Sequence, residues 1–401
     1  MKKIGRVKKI GRVKNWTQEE YSKFICGLFE LPEVITKEWI ENPDNTDRWQ
    51  EGENRSVANF FKHFGFCNRD LSKSDLSGLS CEDMMKIPFN SSTIFPPKDK
   101  MPKGFDSERV LAFGKQPMMG VKKLHERGIT GEGVVVAVID FGLQDKNHVE
   151  FDGANIEVVD LFGDTGTHFH SDGVLSNLCG QNIGVAPKAK VIYYDTYMSH
   201  GKHVDKAQLK ILKDILRRVK SGEKIRVVNI SAPITRGEDL SKIVDNAKWQ
   251  ERYDQLKGPF MPIIDQLKQL GCEVVTSDVF GRDFACCDID PLTKRLSKAD
   301  WVTNEEYYQS KMSVVSGGKA IAEFASKDGY KFEPRGCFSW SIPQVVGMYA
   351  LALQVRSNLT WDDFVEKCRE SSSLDQSGVR TIDFEEMFFK LQKKNRENEI
   401  S

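Results

Sequence analysis

The chain has 401 residues, and its 58 lysines and arginines are balanced by 58 aspartates and glutamates. Because this balance gives no long-range attraction for polyanions, we do not expect nucleic acid as a partner. No apolar stretch reaches the roughly 18 residues that cross a bilayer, and the N-terminus lacks an apolar signal core. We therefore expect no membrane partner and a cytoplasmic location. The length favours one main domain with an extension.

The cysteines and carboxylates give no pattern of a cofactor or metal site. The nine cysteines include the adjacent pair Cys286-Cys287 but no paired CxxC motifs, which favours reduced thiols over a disulfide scaffold or a zinc site. The carboxylates are scattered and do not have the spacing of a calcium loop. We therefore expect no metal and no cofactor, and the oligomeric state stays open.

The first 115 residues differ in pattern from the rest. Residues 1–15 carry seven positive charges and no acid, which predicts a disordered basic tail, with an anion-binding arm as the alternative. Residues 16–115 are predicted to form an accessory or pro-segment-like region. It begins with a helix at Thr17, and residues 69–110, rich in Ser, Asp, Pro and Lys, are expected to be loops or an extended segment lying on another surface. Such a segment could be inhibitory or permanent structural cover.

From residue 116 to 401 apolar strands alternate with amphipathic helices, which is typical of an α/β domain with a doubly wound, mostly parallel sheet. The strands are predicted at 134–139, 190–194, 226–230, 273–276 and 312–315. The first is apolar at every position, as a strand covered on both faces requires.

A helix that is apolar all round is predicted from Ser339 and should cross the core. Ser339 would lie at its N-terminus, where free backbone amides and the helix dipole stabilise an oxyanion. A role as a simple N-cap is the alternative. Pro343 is expected to be tolerated in the first turn, where amides have no intrahelical partner. Asp140, His170 and Ser339 occur in an order in which unrelated folds build a base-activated serine, so the sequence suggests a peptidase.

Two blocks carry a resemblance to a known family. Ser339-Trp-Ser-Ile-Pro-Gln-Val-Val-Gly347 resembles the serine block of the subtilisin-like serine peptidases, with a Pro four residues and a Gly eight residues after the nucleophile. Gly131-Glu-Gly-Val-Val-Val-Ala-Val-Ile-Asp-Phe-Gly142 resembles the aspartate block of the same family. The resemblance covers roughly residues 116–390 and is closest to the clostridial-type intracellular subtilases.

The histidine of the family pattern has two candidates, His168 and His170. The pattern places a helix after the catalytic histidine and then Gly184-Val-Ala-Pro187, and it places Val174 four residues after His170. This spacing favours His170, and His168 is interpreted as a loop residue. His148 is interpreted as structural.

The resemblance implies a three-layer α/β/α fold and an endopeptidase that cleaves protein or peptide substrates through an acyl-enzyme. His170 would take the proton of Ser339, and Asp140 would orient the imidazole. The segment Ser231, Ala232 and Pro233 would bind the substrate backbone, although Pro233 stands where the family usually has Gly.

Three departures leave a second hypothesis open. No Asn occurs where the family supplies its oxyanion amide, and Asp278, the nearest isostere, helps only if it is protonated; otherwise it is a loop carboxylate paired with Arg282. Ser171 replaces a Gly after the histidine and is expected to crowd the site. Pro233 is the third, and Phe338 before Ser339 is a further departure, since it replaces a small polar residue. The alternative is a pseudoprotease that binds a peptide or regulates a partner without cleavage.

Overall fold

A computed structural model describes residues 31–41, 57–143, 147–163, 169–196, 204–232, 234, 251, 254–255, 257–299, 305–323 and 328–400. The predicted basic tail and the predicted helix at Thr17 lie outside these residues. No described helix has both the length and the apolar character that a membrane crossing requires.

The described helices, in chain order, are α1 Lys37–Glu41, α2 Val57–Phe64, α3 Cys81–Met84, α4 Ser107–Gly114, α5 Val121–Glu126, α6 Phe169–Cys179, α7 Val204–Lys220, α8 Met261–Gln269, α9 Ser277–Asp283, α10 Glu305–Ser310, α11 Phe338–Val355, α12 Trp361–Glu370 and α13 Phe384–Ile400. Short 3₁₀ turns occupy Lys98–Lys100 and Val149–Phe151. The strands are β1 Phe89–Asn90, β2 Val135–Asp140, β3 Ile156–Val159, β4 Lys190–Asp195, β5 Ile225–Ile230, β6 Glu273–Val275, β7 Phe284–Ile289, β8 Leu296–Lys298, β9 Met312–Gly317, β10 Lys319–Ala322, β11 Tyr330–Glu333, β12 Ser372–Leu374 and β13 Arg380–Ile382.

The central sheet has five strands in the order β3-β4-β2-β5-β6, and all of its pairings are parallel. Four of its strands were predicted from their apolar runs, with boundaries within about one residue. The edge strand β3 was not predicted, because its sequence Ile-Glu-Val-Val is short and only partly buried.

Strand β2 shows why the domain has three layers. Val136 and Val138 pack in one apolar cluster with helices α6 and α11, whereas Ala137 and Ile139 pack in a second cluster with α7 and α8. Alternate residues of a strand point to opposite faces, so both faces of the sheet are covered by helices. The predicted three-layer α/β/α arrangement with a doubly wound parallel sheet is confirmed.

The fifth predicted strand lies elsewhere. Strand β9 belongs to a second five-stranded sheet with the order β12-β13-β9-β7-β8, in which β9 is parallel to β7 and β13. Strand β7 follows α9 directly and was not predicted, because Phe284-Ala-Cys-Cys-Asp-Ile289 has no clear period of two. The apolar pattern therefore predicted strands but could not assign them to sheets.

Helix α11 crosses the core as predicted, with every residue from Trp340 to Leu353 buried. Gly347 permits its close approach to the segment after α6, since a Cβ there would lie 2.7 Å from the Cβ of Val185. The explanation offered for Pro343 is wrong. The helix begins at Phe338, so Pro343 lies beyond the first turn and removes the helical hydrogen bond to the Ser339 carbonyl.

The segment before residue 115 packs against the domain and is more regular than predicted. It contains helices α3 and α4, and β1 pairs antiparallel with β11. Phe89 packs against Phe332 with ring centroids 5.1 Å apart, and Asn90 donates a 2.6 Å hydrogen bond to the buried carboxylate of Glu323. Residues 69–110 thus add an edge strand to the β10–β11 pair and pack their apolar side chains against it. A pro-segment-like role for residues 16–115 stays a prediction.

Lys319 is a buried lysine at the start of β10, which pairs antiparallel with β11. Its side chain is 1% exposed, and its Nζ donates to Oε1 of Gln344 over 3.3 Å. Burial lowers the pKa of Lys319 to about 7, against the opposing attraction of Glu150. Lys319 therefore opposes folding most strongly when it is charged.

Lys319→Met should stabilise the protein, and more so at pH 6 than at pH 9. Below about pH 7 Lys319 is charged in the folded protein and in the unfolded chain. Between about pH 7 and 10.5 Lys319 is neutral in the folded protein but still protonated in the unfolded chain, so the stability of the wild type rises with pH in this range. We expect the gain in urea unfolding free energy to be about 1–3 kcal/mol larger at pH 6.

Lys331→Met is the matched control. Lys331 is equally buried but forms an ion pair with Glu333, and its pKa is raised by its acidic neighbours in spite of burial. Its loss should destabilise the protein at both pH values. An equal effect of Lys319→Met on stability at the two pH values would contradict a lowered pKa of Lys319.

Candidate active site

Adjacent strands bring two of the predicted residues to one edge of the central sheet. Asp140 is the last residue of β2, and Ser231 directly follows β5, whose Ile230 pairs with Ile139. Asp195 ends β4 in register with Asp140 on the other side. The carboxyl ends of parallel strands share an edge, and open α/β sheets place their ligands there.

His170 lies against Asp140. The imidazole Nδ1 is 2.8 Å from Oδ1 of Asp140, and the two side chains are 13% and 4% exposed. The Phe141 amide donates to the same oxygen over 2.7 Å. An ionised carboxylate only accepts hydrogen bonds, so Nδ1 of His170 carries the proton and, in the neutral ring, Nε2 carries the lone pair. This is the tautomer that a general base requires.

Ser339 is the second residue of α11. Its hydroxyl donates to the Ser231 carbonyl over 3.3 Å, a long hydrogen bond. The indole of the next residue, Trp340, lies beside the imidazole with ring centroids 5.2 Å apart. The first turn of α11 is thus located at the sheet edge that carries Asp140 and His170.

The thiol of Cys337, the N-cap residue of α11, lies in the same turn. Burial raises its pKa to about 11, against the opposing effect of hydrogen bonds from Trp340 and Ser339. The thiol is therefore neutral near pH 7. Sequence reasoning did not single out this residue.

Ser171 does not crowd the site, and that expectation is wrong. Its side chain is fully buried and its hydroxyl is 2.9 Å from both the Phe141 and the Gly142 carbonyl oxygens. The Tyr193 hydroxyl also donates to the Phe141 carbonyl, and burial raises the pKa of Tyr193 well above its ordinary value, so it stays a donor. These contacts hold the chain immediately after Asp140.

The predicted substrate-binding segment is only partly described. Ser231 and Ala232 are 4% and 9% exposed, and the Asn229 side-chain amide donates to the Ser231 hydroxyl over 3.1 Å. Pro233 lies outside the described residues. The Ala232 carbonyl accepts a 3.3 Å hydrogen bond from the amide of Ser277, which ties this segment to the start of α9.

Asp278 is in α9 and not in a loop, because Thr276 caps the helix by accepting from the Val279 amide. The predicted pairing with Arg282 is also wrong: among the described residues no ion pair joins the two side chains, and the buried Oδ2 of Asp278 accepts no hydrogen bond. The ring of Phe280 packs against Phe338, with centroids 5.5 Å apart. Helix α9 therefore packs against the first turn of α11.

The structure describes one of the two other histidines that the sequence analysis considered. His148 is structural as predicted: it is 1% exposed, its Nδ1 accepts from the Glu150 amide, and its Nε2 donates to the Gly329 carbonyl over 2.7 Å. His168 lies outside the described residues. Within the described ranges no group of His, Cys, Asp and Glu side chains is placed to hold a metal ion.

Sequence reasoning missed the rings around His170. The Phe141 ring centroid lies 5.6 Å from that of the imidazole, with the two planes inclined by 71°. The Trp340 indole is inclined to the imidazole by only 34°. The available signal was Gly173, three residues after His170 on α6, which leaves room for a large side chain.

No protein-family model and no curated protein matches the chain. Among solved structures, the chain is similar to the prenylagaramide maturation protease PagA, with 19% identity over 68% of this chain and 99% of that one and a TM-score of 0.46. The self-cleaved protease domain of PatA is also 19% identical, over 66% and 98% of the two chains, with a TM-score of 0.44. A cold-adapted subtilisin-like serine proteinase is 16% identical over 63% and 89%, with a TM-score of 0.43. At these identities the similarity concerns the fold alone and does not extend to the activity of this chain.

Proposed function

We propose that the chain is a serine endopeptidase of the subtilisin-like family that cleaves protein or peptide substrates. The observation that carries the proposal is the 2.8 Å contact between His170 and Asp140, made at the sheet edge where Ser339 lies in the first turn of a buried helix. A serine, a histidine and a buried carboxylate in this order are the parts of a base-activated nucleophile.

Each residue has a defined role in the proposed reaction. The Ser339 oxygen attacks the scissile carbonyl carbon while Nε2 of His170 takes its proton, and Asp140 stabilises the imidazolium that forms. The imidazolium then gives that proton to the leaving amine as the acyl-enzyme forms. Water repeats the sequence and releases the acid. The positive end of the α11 dipole would face the oxyanion.

The segment of Ser231 and Ala232 is proposed to hold the substrate. It directly follows β5 at the same edge, and the Ser231 carbonyl already accepts the Ser339 hydroxyl. An extended peptide can add to such a segment as a further strand through main-chain hydrogen bonds. We extend this role to Pro233 as the next residue along the chain.

Ser339→Ala should abolish peptide hydrolysis without unfolding the protein, because it removes one oxygen atom. His170→Ala should be equally damaging, since the two residues act as one unit; in subtilisin the corresponding losses are about 10⁶-fold in turnover. Activity is followed with a fluorescent peptide library and folding by circular dichroism.

His168→Ala is the matched control for His170→Ala and should retain most activity. If His168→Ala is inactive and His170→Ala is active, the base has been assigned to the wrong histidine. Normal turnover in Ser339→Ala would remove Ser339 as the nucleophile.

The pseudoprotease remains the second candidate because of Asp278. A carboxylate close to the start of α11 would repel a developing oxyanion if it were ionised, and its buried Oδ2 has no hydrogen-bond partner among the described residues. A protonated carboxyl would instead be a donor. The two states predict opposite consequences for catalysis.

Asp278→Asn should increase peptide hydrolysis by about 10- to 10³-fold if the side chain faces the oxyanion, because an amide is a permanent donor. Asp278→Ala separates the effect of the negative charge from the effect of a hydrogen-bond donor, since it removes the charge and adds no donor. A faster Asn variant than Ala variant supports the oxyanion position. Unchanged rates in both would exclude Asp278 from the site.

A further inference from the structure

The indole of Trp340 covers one side of the His170 ring. The ring centroids are 5.2 Å apart and the planes are inclined by 34°, so the rings are closer to stacked than to perpendicular. Trp340 is 5% exposed, and it is held by its position in the first turn of the buried helix α11. Its ring thus lies beside the imidazole, and both side chains are largely buried, with His170 13% exposed.

Gly173 makes this arrangement sterically available. Residues three apart lie on the same face of a helix, so Gly173 and His170 are neighbours on the surface of α6. A Cβ at residue 173 would lie only 2.5 and 2.6 Å from two carbons of the Trp340 ring. The indole therefore occupies the space that any larger side chain at residue 173 would need.

We propose that Trp340 is a positioning residue that holds the His170 ring and stabilises its imidazolium form. The negative face of an indole attracts a cation within about 6 Å of the ring centroid, and the attraction is stronger where water is excluded. The inference rests on the proposed function, in which His170 becomes positively charged in the transition state. Trp340 touches neither substrate nor reacting atoms and acts through His170.

Several other groups set the charge around His170. Asp140 contacts its Nδ1, Asp195 lies in register with Asp140 on β4, and Asp172 is two residues away on α6. The Tyr193 hydroxyl and the Cys337 thiol have raised pKa values and are neutral near pH 7. The variants below leave all five groups in place, so a change can be assigned to the indole.

Trp340→Leu should move the acidic limb of the kcat/KM profile to lower pH by roughly 0.4 to 1.5 units, because the imidazolium loses its aromatic neighbour. The turnover number should fall about 2- to 30-fold with little change in KM, since the loss concerns the transition state. Trp340→Phe should show a smaller shift in the same direction. If the Leu variant does not fold, the Phe variant carries the comparison.

Gly173→Ala tests the same contact with the indole retained. Its Cβ forces the indole to move, so the acidic limb should shift in the same direction as in Trp340→Leu. Trp361→Leu is the control for loss of a buried indole: Trp361 is 4% exposed and packs on Tyr349, ten residues along α11 from Ser339, or about 15 Å. Its pH profile should match the wild type.

The ring can also be followed without any assay of activity. In the full-length protein the pH titration midpoint of the His170 ring, measured by NMR and assigned with His170→Ala, should fall in Trp340→Leu and not in Trp361→Leu. A wild-type midpoint in Trp340→Leu would overturn the inference, whereas lack of peptidase activity with a shifted midpoint would overturn only the proposed function. A loss of stability with an unmoved midpoint would show that Trp340 only fills space.

Discussion

Burial of helix α11 between the two sheets is the constraint on which the site depends. An 18-residue helix that is buried along most of its length can lie only against the apolar faces of the sheets, so the position of its first turn is fixed by packing. That turn meets the edge at which β2 and β5 end. The core, and not a flexible loop, therefore places the turn that carries Ser339 at the sheet edge where Asp140 ends β2.

The same constraint explains which parts of the structure could be predicted. Fully apolar runs such as 134–139 have one stable location, a strand covered on both faces, and the pattern of α11 is as distinctive. The contact of His170 with Asp140 was expected from the family resemblance, in which the spacing to Gly184 favoured His170 over His168. In these places the local pattern and the packing point to the same structure.

The parts that were missed depend on contacts between distant segments. Strand β9 has the same apolar character as the central strands, and only its neighbours place it in a second sheet. Ser171 was expected to crowd the site because a hydroxyl is larger than a hydrogen atom, yet nearby carbonyl groups accept it. Asp278 was assigned to a loop, but the cap at Thr276 starts a helix there. None of these partners is visible from the residue types alone.

The departures from the resembled family cluster around the general base and the oxyanion, while Asp140, His170 and Ser339 are kept. Ser171 holds the chain after Asp140, and Gly173 leaves room for the Trp340 indole beside the imidazole. Asp278 lies in α9, whose Phe280 packs against Phe338 of α11. The chain thus has a histidine–aspartate contact and a serine of a buried helix at one sheet edge. The central proposal is that His170 activates Ser339 for peptide hydrolysis.

Labelling of the full-length protein with a fluorophosphonate probe, followed by peptide mapping, tests this claim most directly, because the probe reacts with a serine that an adjacent base has activated. The account predicts a single label on the peptide that contains Ser339, and loss of that label in folded His170→Ala. A label on another serine, or no label on a folded wild-type chain, would contradict it.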